Sequence, residues 1–141
     1  MPQQMSNYFA QLVEDQWFGK NATPTIPANW YVCMFTTDPG LADTGGVEPS
    51  TNGYIRLVIP NTTLYFAAAA TRQKNAAGAS YPLAWFTASG ALGPIVATGV
   101  RDAASGGNLI LLNSIPGGSQ QSISSGNNII FNAADFSWRI D

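Results

Sequence analysis

The sequence contains no histidine among its 141 residues. Without an imidazole, Ser-His triads, Cys-His dyads, histidine metal sites and the most common general base are excluded. Glycosidases and aspartic proteases need no histidine, but they require a pair of carboxylates in one site. The acidic residues are Glu14, Asp15, Asp38, Asp43, Glu48, Asp102, Asp135 and Asp141. Because each falls on a helix surface, in a turn or at a terminus, capping and solvation explain them, and we expect no enzyme activity.

Charged side chains are also scarce, at 10% of the residues against about a quarter in an average soluble protein. The net charge is −2, and the six Lys and Arg residues are scattered, so no basic stripe exists to follow a phosphate backbone. We therefore expect no nucleic-acid partner. A neutral polar surface is typical of a protein packed into a larger assembly, since a free monomer usually keeps more charge for solubility.

The sequence has one cysteine and no apolar run that approaches the length of a membrane span. Cys33 has no partner for a disulfide within one chain, and it falls in the middle of a predicted strand. A thiol in that position is typically a buried and unreactive group. The first residues, Met-Pro-Gln-Gln-Met-Ser, lack the basic and apolar regions of a signal peptide. These features predict synthesis in a cytoplasm and no contact with a membrane.

The strongest pattern in the sequence is residues 29–39, Asn-Trp-Tyr-Val-Cys-Met-Phe-Thr-Thr-Asp-Pro. Its β-branched and aromatic residues predict a strand, and Asp-Pro-Gly at 38–40 predicts the turn that ends it. Alternate residues of a strand point to opposite faces. The two faces carry Trp30, Val32, Met34 and Thr36, and Tyr31, Cys33, Phe35 and Thr37, respectively. Because both faces are largely apolar, we predict a central strand that is covered on both sides.

One amphipathic helix is predicted near the N-terminus, with Ser6 placed to cap it and Gly19 placed to end it. Its apolar residues recur at the i, i+4 spacing of a single face. They are Tyr8, Phe9, Leu12, Val13 and Trp17. This face has two open interpretations: it packs against the sheet of its own chain, or it docks on a neighbouring subunit. Pro24 and Pro27 predict an extended segment after the helix, and we take the five residues as a candidate assembly interface.

Further short strands are predicted along the rest of the chain. Residues 54–59 alternate, with Ile55, Leu57 and Ile59 on the buried face. The other predicted strands are residues 63–69, 81–86, 93–100, 109–112, 128–131 and 136–140, with a short edge strand near Ser122. Eight to nine short strands after one helix predict a mainly β fold, an antiparallel, jelly-roll-like β-sandwich.

The length predicts one domain, residues 1–141. Within it, residues 1–28 are expected to form a helical arm with an extended linker, and residues 29–141 the sandwich. We predict one hydrophobic core for the sandwich. Its expected members include Trp30, Val32, Met34, Ile55, Leu57, Leu111 and Ile130.

Two segments rich in turn residues, 41–53 and 115–125, are expected to be exposed loops. Asp38, Asp43 and Glu48 are spaced by five residues at the first loop, and their oxygens are of the kind that Ca²⁺ binds. That spacing matches no calcium-binding loop that we can identify, so a calcium site stays open. Strand aromatics provide a second hypothesis, a platform for sugar rings, although such residues more often lie in a core or an interface. They are Trp30, Tyr54, Tyr81, Trp85 and Trp138.

Six short segments, in a constant order along nearly the whole chain, resemble a family of small tailed-bacteriophage structural proteins that are often labelled tail fibre proteins. They are Ser6-Asn7-Tyr8, Phe18-Gly19-Lys20, and residues 31–39, 48–56, 102–109 and 125–136. The sequence departs from the family pattern between residues 62 and 79 and at Arg101, where the resemblance implies an aromatic or apolar residue. The resemblance implies a virion component with no cofactor and no catalytic residue.

The leading hypothesis is therefore a structural component of a tailed-bacteriophage virion, made in the cytoplasm of the bacterial host. It is an oligomeric decoration or cement protein on the capsid exterior, or a component of the tail or fibre. Its partners are copies of itself and the major capsid or tail protein. The alternative is a receptor- or carbohydrate-binding module at a fibre or tail tip. That module would bind a host surface glycan through loops 41–53 and 115–125.

Overall fold

The computed structural model describes residues 3–18, 25–68, 73–75, 80, 82–132 and 137–139. The elements are β1 (Gln4–Met5), α1 (Asn7–Trp17), β2 (Asn29–Phe35), β3 (Leu57–Pro60), β4 (Gln73–Asn75), β5 (Leu83–Thr87), β6 (Leu92–Ile95), β7 (Ala97–Arg101), β8 (Leu109–Ser114), a 3₁₀ turn (Gly117–Ser119), β9 (Gln121–Ile123), β10 (Asn128–Phe131) and β11 (Ser137–Arg139). These strands pair in antiparallel fashion. The prediction of a mainly β, antiparallel fold with one N-terminal α-helix is confirmed.

Strand β2 lies inside the largest sheet, whose five strands have the order β1-β8-β7-β2-β3. It pairs with β3 on one side and β7 on the other, so that Val32 lies between Leu57 and Val100. The second half of β2, from Val32 to Phe35, is completely buried. The prediction of a central strand that is covered on both faces is confirmed.

The sheet face that carries Val32 and Met34 packs against a second layer. That layer consists of the strand pairs β5–β10 and β6–β9. Trp85 of β5, Ile95 of β6 and Phe131 of β10 belong to the same hydrophobic cluster as Val32 and Met34. The apolar side chains of both layers are thereby removed from water, as in a β-sandwich.

The opposite face of the main sheet carries a second, smaller hydrophobic cluster. Its buried members are Cys33, Phe35, Ala97, Leu109 and Leu112, and Leu41 and Val96 pack against them. A register shift opposite Val100 and Arg101 turns Leu109 to this face, while Ile110 and Leu111 remain in the larger cluster. The predicted core residues Val32, Met34, Leu57 and Leu111 do share one cluster, the larger one, and the sheet separates it from this second cluster.

Two residues predicted to be in the core are exposed. Ile55 is 60% exposed because residues 54–56 precede β3, whose pairing with β2 begins at Leu57. Ile130 is 55% exposed because a register shift after Ile129 leaves Ile129 as the residue that packs against the core. The predicted strand 54–59 therefore begins three residues too early, and the strand phase at 128–131 differs from the prediction.

Two other strand predictions also need correction. Residues 62–66 form a turn rather than the start of a strand, since the amides of Tyr65 and Phe66 both donate to the carbonyl of Thr62. The predicted strand 93–100 is two strands, β6 and β7, in different sheets, divided at Val96, whose N–H donates to Phe35. The strands predicted at 81–86, 109–112 and near Ser122 exist with shifted ends as β5, β8 and β9, and the strand predicted at 128–131 exists with its predicted ends as β10.

Leu57→Ala is expected to lower the free energy of unfolding by about 2–5 kcal/mol, because Leu57 is buried in the larger cluster and its truncation leaves a cavity. The neighbouring Val58 points to the other face of β3 and is exposed, so Val58→Ala is the matched control. Urea unfolding of both variants measures the difference. Equal stabilities of the two variants would contradict the observed strand phase.

Candidate functional site

Helix α1 is attached to the main sheet at its N-terminal end. Strand β1 pairs with β8, with Gln4 opposite Leu112 and Met5 opposite Leu111. Ser6 Oγ accepts the Phe9 N–H at 3.1 Å, so the predicted N-cap is confirmed. The Ser6 hydroxyl also donates to the carbonyl of Leu109, which fixes the start of the helix to β8. The predicted end of the helix at Gly19 lies outside the described residues.

The five residues of the candidate assembly interface have different environments. Phe9 packs against the larger core cluster, and Leu12 and Val13 are half-buried. Trp17 is 78% exposed, and Tyr8 at the other end of the helix is also exposed. The N-terminal part of this face therefore holds the helix on its own chain. The C-terminal part is available for contact with another molecule.

A groove of about 270 Å³ lies between the C-terminal half of α1 and the segment that leads into β2. It is lined by Phe9, Leu12, Val13, Gln16, Trp17, Thr25, Ile26, Pro27 and Trp30. Four of the five predicted interface residues are brought together here, whereas Tyr8 is not in the lining. A cavity of roughly 150 Å³ is enough to hold a benzene ring. The groove therefore has room for an aromatic side chain from another molecule.

Two further exposed apolar side chains were not predicted as part of the interface. Phe18 is 85% exposed, and Ile26, in the groove wall, is 72% exposed. Phe18 is the C-cap residue, and its N–H donates to the carbonyl of Glu14, which ends the helix with the ring in solvent. The i, i+4 pattern omits Phe18 because, at about 100° of rotation per residue, this position falls on the side of the helix opposite Phe9. The sequence feature that could have drawn attention to Phe18 is the pair of adjacent aromatic residues, Trp17 and Phe18.

The charged residues of α1 do not line the groove. Glu14 and Asp15 are exposed, and neither is among its lining residues. At about 100° of rotation per residue, both lie roughly 120–140° from Phe9, while Glu14 is about 60° from Trp17 and Asp15 about 60° from Leu12, so they flank the groove. The lining of the groove itself is uncharged among the described residues.

A second constellation joins the loop before β3 to the sheet. The Glu48 carboxylate accepts hydrogen bonds from Arg56 at 2.6 and 3.0 Å and from the Tyr54 hydroxyl at 2.9 Å. Arg56 also donates to the carbonyls of Ala103 and Gly106 in the turn before β8. Burial raises the pKa of Tyr54 well above its ordinary value, although its bond with the Met34 amide opposes that shift. Tyr54 therefore acts as a neutral donor to Glu48.

Arg101 is buried and completes this network. Its guanidinium donates to both Asp43 oxygens at 2.7 and 2.8 Å and to the Gly107 carbonyl at 2.9 Å. It lies 5.6 Å from the centre of the Phe35 ring, and its Nε is 3.4 Å from Glu48. Burial alone would lower the pKa of Arg101, but the bond and charge of Asp43 outweigh burial and raise it. A charged residue thus occupies a position where the resemblance implied an apolar one.

The acidic residues of the first loop have structural partners. Asp43 and Glu48 are committed to guanidinium groups, while Asp38 accepts the Gly40 N–H at 2.8 Å. The calcium hypothesis is not supported, because these carboxylates are engaged by arginines and by a backbone amide. Within the described parts of the chain, no group of three His, Cys, Asp or Glu side chains is placed to hold a metal. The loop is only partly exposed, since Asp43 and Glu48 are half-buried.

The turn whose carbonyls accept hydrogen bonds from Arg56 and Arg101 is held in shape by its own side chains. Asp102 accepts the backbone N–H of Asn108 at 2.7 Å and its side-chain amide at 2.8 Å. Gly107 has a φ of +74°, and a Cβ there would lie 2.5 Å from the Asp102 carboxylate, so only glycine suits this position. Asp102 is therefore a turn-capping residue, as its position in the sequence predicted.

Two of the aromatic residues proposed as a platform for sugar rings are not available at the surface. Trp85 is buried, and its Nε1–H donates to the carbonyl of Ile55 at 2.6 Å. Tyr54 packs edge-on against Phe86, with ring centroids 5.7 Å apart. These two rings belong to the interior, as is usual for strand aromatics. Tyr81 and the side chain of Trp138 lie outside the described residues.

Cys33 is expected to resist thiol reagents in the native protein. Burial, supported by the charge of Glu48, raises the pKa of its thiol from 9.0 to about 12. The reactive thiolate therefore forms only as the pH rises towards about 12, and at pH 8 the thiol stays protonated and covered. Labelling with a thiol reagent, followed by mass spectrometry, should give no adduct without denaturant and one adduct in urea. Rapid native labelling would contradict the burial.

Comparison with protein families decides the kind of protein. The family model described as Podophage GP4 fiber I protein gp80 matches residues 4–139. The chain belongs to this family. The resemblance to phage tail fibre proteins is thus confirmed, and the chain is placed among phage fibre proteins. A search of curated proteins finds no match. Among the described residues, no helix is long and apolar enough to cross a membrane.

Proposed function

We propose that this family member is a structural component of a podophage tail fibre, and that it joins the virion through the groove beside α1. The observation that carries the proposal is the family match over residues 4–139, since the family is described as a fibre protein. The structure supports it with a groove that has no charged residue in its lining and that exposes Trp17 and Ile26. Exposed apolar surface of this kind is characteristic of an interaction site.

We keep the interface proposed from the sequence, but its residues have different roles. They are Tyr8, Phe9, Leu12, Val13 and Trp17. Phe9 holds the helix on its own sheet, and Leu12, Val13 and Trp17 line the groove that receives a partner. In this proposal residues 1–141 form one unit, in which β1 attaches the arm of residues 1–28 to the sandwich of residues 29–141. The partners are copies of the chain and a tail protein.

Two finer assignments remain alternatives to this proposal. Decoration or cementing of the capsid exterior requires attachment to the shell, whereas the family description refers to a fibre. Binding of a host glycan at the fibre tip would rely on loops 41–53 and 115–125. The network around Glu48 and Arg101 holds the first of these loops against the sheet.

The proposed function is tested on intact particles. Mass spectrometry of purified virions should find the chain, and gold-labelled antibody against it should mark the tail fibres in electron micrographs. Antibody against the major capsid protein is the positional control. Labelling of the capsid exterior would support capsid decoration instead. If purified virions lacked the chain, it would not be a virion component of any kind. Binding of labelled protein to host cells, blocked by soluble host glycans, would favour the receptor alternative.

A further inference from the structure

We propose that Asn52 is a site of spontaneous deamidation that the fold protects, and that the reaction permanently breaks a contact between the two layers of the sandwich. Asn52-Gly53 is the only Asn-Gly pair in the sequence. Because glycine has no Cβ, its backbone nitrogen is the least hindered in approaching the side-chain amide of the preceding residue. This reactivity is a property of the chain itself and does not depend on the proposed function.

The reaction needs no co-reactant other than water. The Gly53 backbone nitrogen attacks Cγ of Asn52, and the new C–N bond closes a succinimide ring. The bond from Cγ to Nδ2 breaks, and Nδ2 leaves as ammonia with the proton of the Gly53 nitrogen. Water then opens the ring at either of its carbonyls, which leaves aspartate or isoaspartate at position 52. In isoaspartate the main chain runs through the side-chain carbons.

The folded chain holds Asn52 in a tight turn. Asn52 and Gly53 both have positive φ, +58° and +82°, and the Tyr54 N–H donates to the carbonyl of Thr51 at 3.2 Å. These are the features of a type I′ turn, for which Asn-Gly is a preferred pair. The residues that form the turn are thus also the residues that can deamidate.

The side chain of Asn52 is fixed on a second loop. Its Nδ2 donates to the carbonyl of Ala91 at 2.7 Å, and the backbone carbonyl of Asn52 accepts the Ser89 N–H at 3.0 Å. A Cβ at Gly90 would lie 2.6 Å from Oδ1 of Asn52, so the amide packs directly on the backbone of Gly90. Ring closure requires Cγ to reach the Gly53 nitrogen instead. The reaction is therefore confined to molecules in which this contact has opened.

The contact joins the two layers of the sandwich. The turn of residues 51–54 lies just before β3 of the main sheet, and residues 88–91 connect β5 to β6 of the second layer. Deamidation replaces the donor Nδ2 with a carboxylate oxygen, which cannot donate to the Ala91 carbonyl and repels it. A chain that reacts while the contact is open therefore cannot form it again.

The first test compares the folded and the unfolded full chain. Both are incubated in a mildly alkaline buffer, one without and one with urea, and their tryptic peptides are analysed by tandem mass spectrometry. Deamidation of Asn52 should be at least about tenfold slower in the folded chain, because only the open fraction reacts. Asn29 precedes the bulky Trp30 in the same tryptic peptide, residues 21–56, and should react slowly in both samples. Equal rates at Asn52, or no reaction in the unfolded chain, would overturn the proposal.

A variant that opens the contact separates the role of this hydrogen bond from the general effect of folding. Gly90→Ala places a methyl group where the Asn52 amide lies, so the amide has to leave Ala91. The folded variant should deamidate at least about threefold faster than the folded wild type, since it lacks one hydrogen bond, whereas the rates in urea should be equal. Gly118→Ala, where a Cβ meets nothing within 4 Å, is the matched control and should behave like the wild type. An unchanged rate in folded Gly90→Ala would contradict the proposal, and if this variant does not fold, the wild-type comparison decides alone.

The consequence of the reaction is tested with its product. Asn52→Asp cannot donate to Ala91, so its thermal unfolding midpoint should lie below that of the wild type. Asn127→Asp adds the same charge at an exposed position in a neighbouring turn, and its midpoint should match that of the wild type. Equal midpoints for the two variants would show that the Asn52 amide does not hold the layers together, and the proposal would fail.

Discussion

Replacing Arg101 with Met is expected to lower the free energy of unfolding by about 2–4 kcal/mol. The change leaves the half-buried carboxylate of Asp43 without its two guanidinium bonds and the Gly107 carbonyl without its donor. Removing one partner of a buried ion pair typically costs about 3–5 kcal/mol, and the remaining solvent access of Asp43 reduces that cost. Urea denaturation of the full chain at neutral pH measures the loss.

Two further variants isolate the cause. Arg101→Lys keeps the charge but not the planar pair of bonds to Asp43, so its stability should lie between those of Arg101→Met and the wild type. In a double-mutant cycle with Asp43→Asn, the two losses should be less than additive, because both remove the same contact. A stability of Arg101→Met within about 0.5 kcal/mol of the wild type, the range of ordinary surface substitutions, would contradict the structural role of this network.

Trp85→Ala should destabilise the fold by about 3–5 kcal/mol, because it opens a large cavity between the two layers of the sandwich. The Trp85 ring lies edge-on to Phe86 and Phe131, with centroids 5.9 and 6.2 Å away, and its N–H satisfies the carbonyl of Ile55. Thermal and urea unfolding should both register the loss.

Two control substitutions divide this effect into packing and hydrogen bonding. Trp85→Phe keeps an aromatic ring but leaves the Ile55 carbonyl without its donor, so it should cost less than Trp85→Ala. Ile55→Ala retains the carbonyl and removes only an exposed side chain, so its effect should stay within about 0.5 kcal/mol. If Trp85→Ala were as mild as Ile55→Ala, Trp85 would not belong to the core.

The elements that were predictable from the sequence are those with a strong local pattern. The uninterrupted apolar run of β2 specified a strand that is buried on both faces, and Ser6 specified the start of α1. Residues 93–100 were misread because each half alternates well on its own. What divides them is a hydrogen bond from Val96 to Phe35, a residue distant in sequence. Local periodicity carries no information about which sheet a strand joins.

The network around Arg101 was missed for the same reason. Its parts lie at residues 43, 48, 56 and 101, and only the folded chain brings them together. One signal was present in the sequence: a charged residue at the end of a buried strand requires a partner. The sequence did identify most of the groove wall on α1, because an apolar helical face has a definite period. It could not indicate that Ile26 and Trp30 form the opposite wall.

The pairing of β1 with β8 has a consequence for how the chain folds during synthesis. The partner of Ser6 is Leu109, which is added to the chain 103 residues later. At roughly 5–20 residues per second, the ribosome needs about 5–20 s to supply it. Until then β1 lacks its partner strand β8, and the start of α1 can form the bond from the Asn7 N–H to the carbonyl of Leu41 but not its bonds to β8. The surface that we assign to assembly is therefore completed late, after most of the polypeptide has been made, which delays contact between copies that are still being translated.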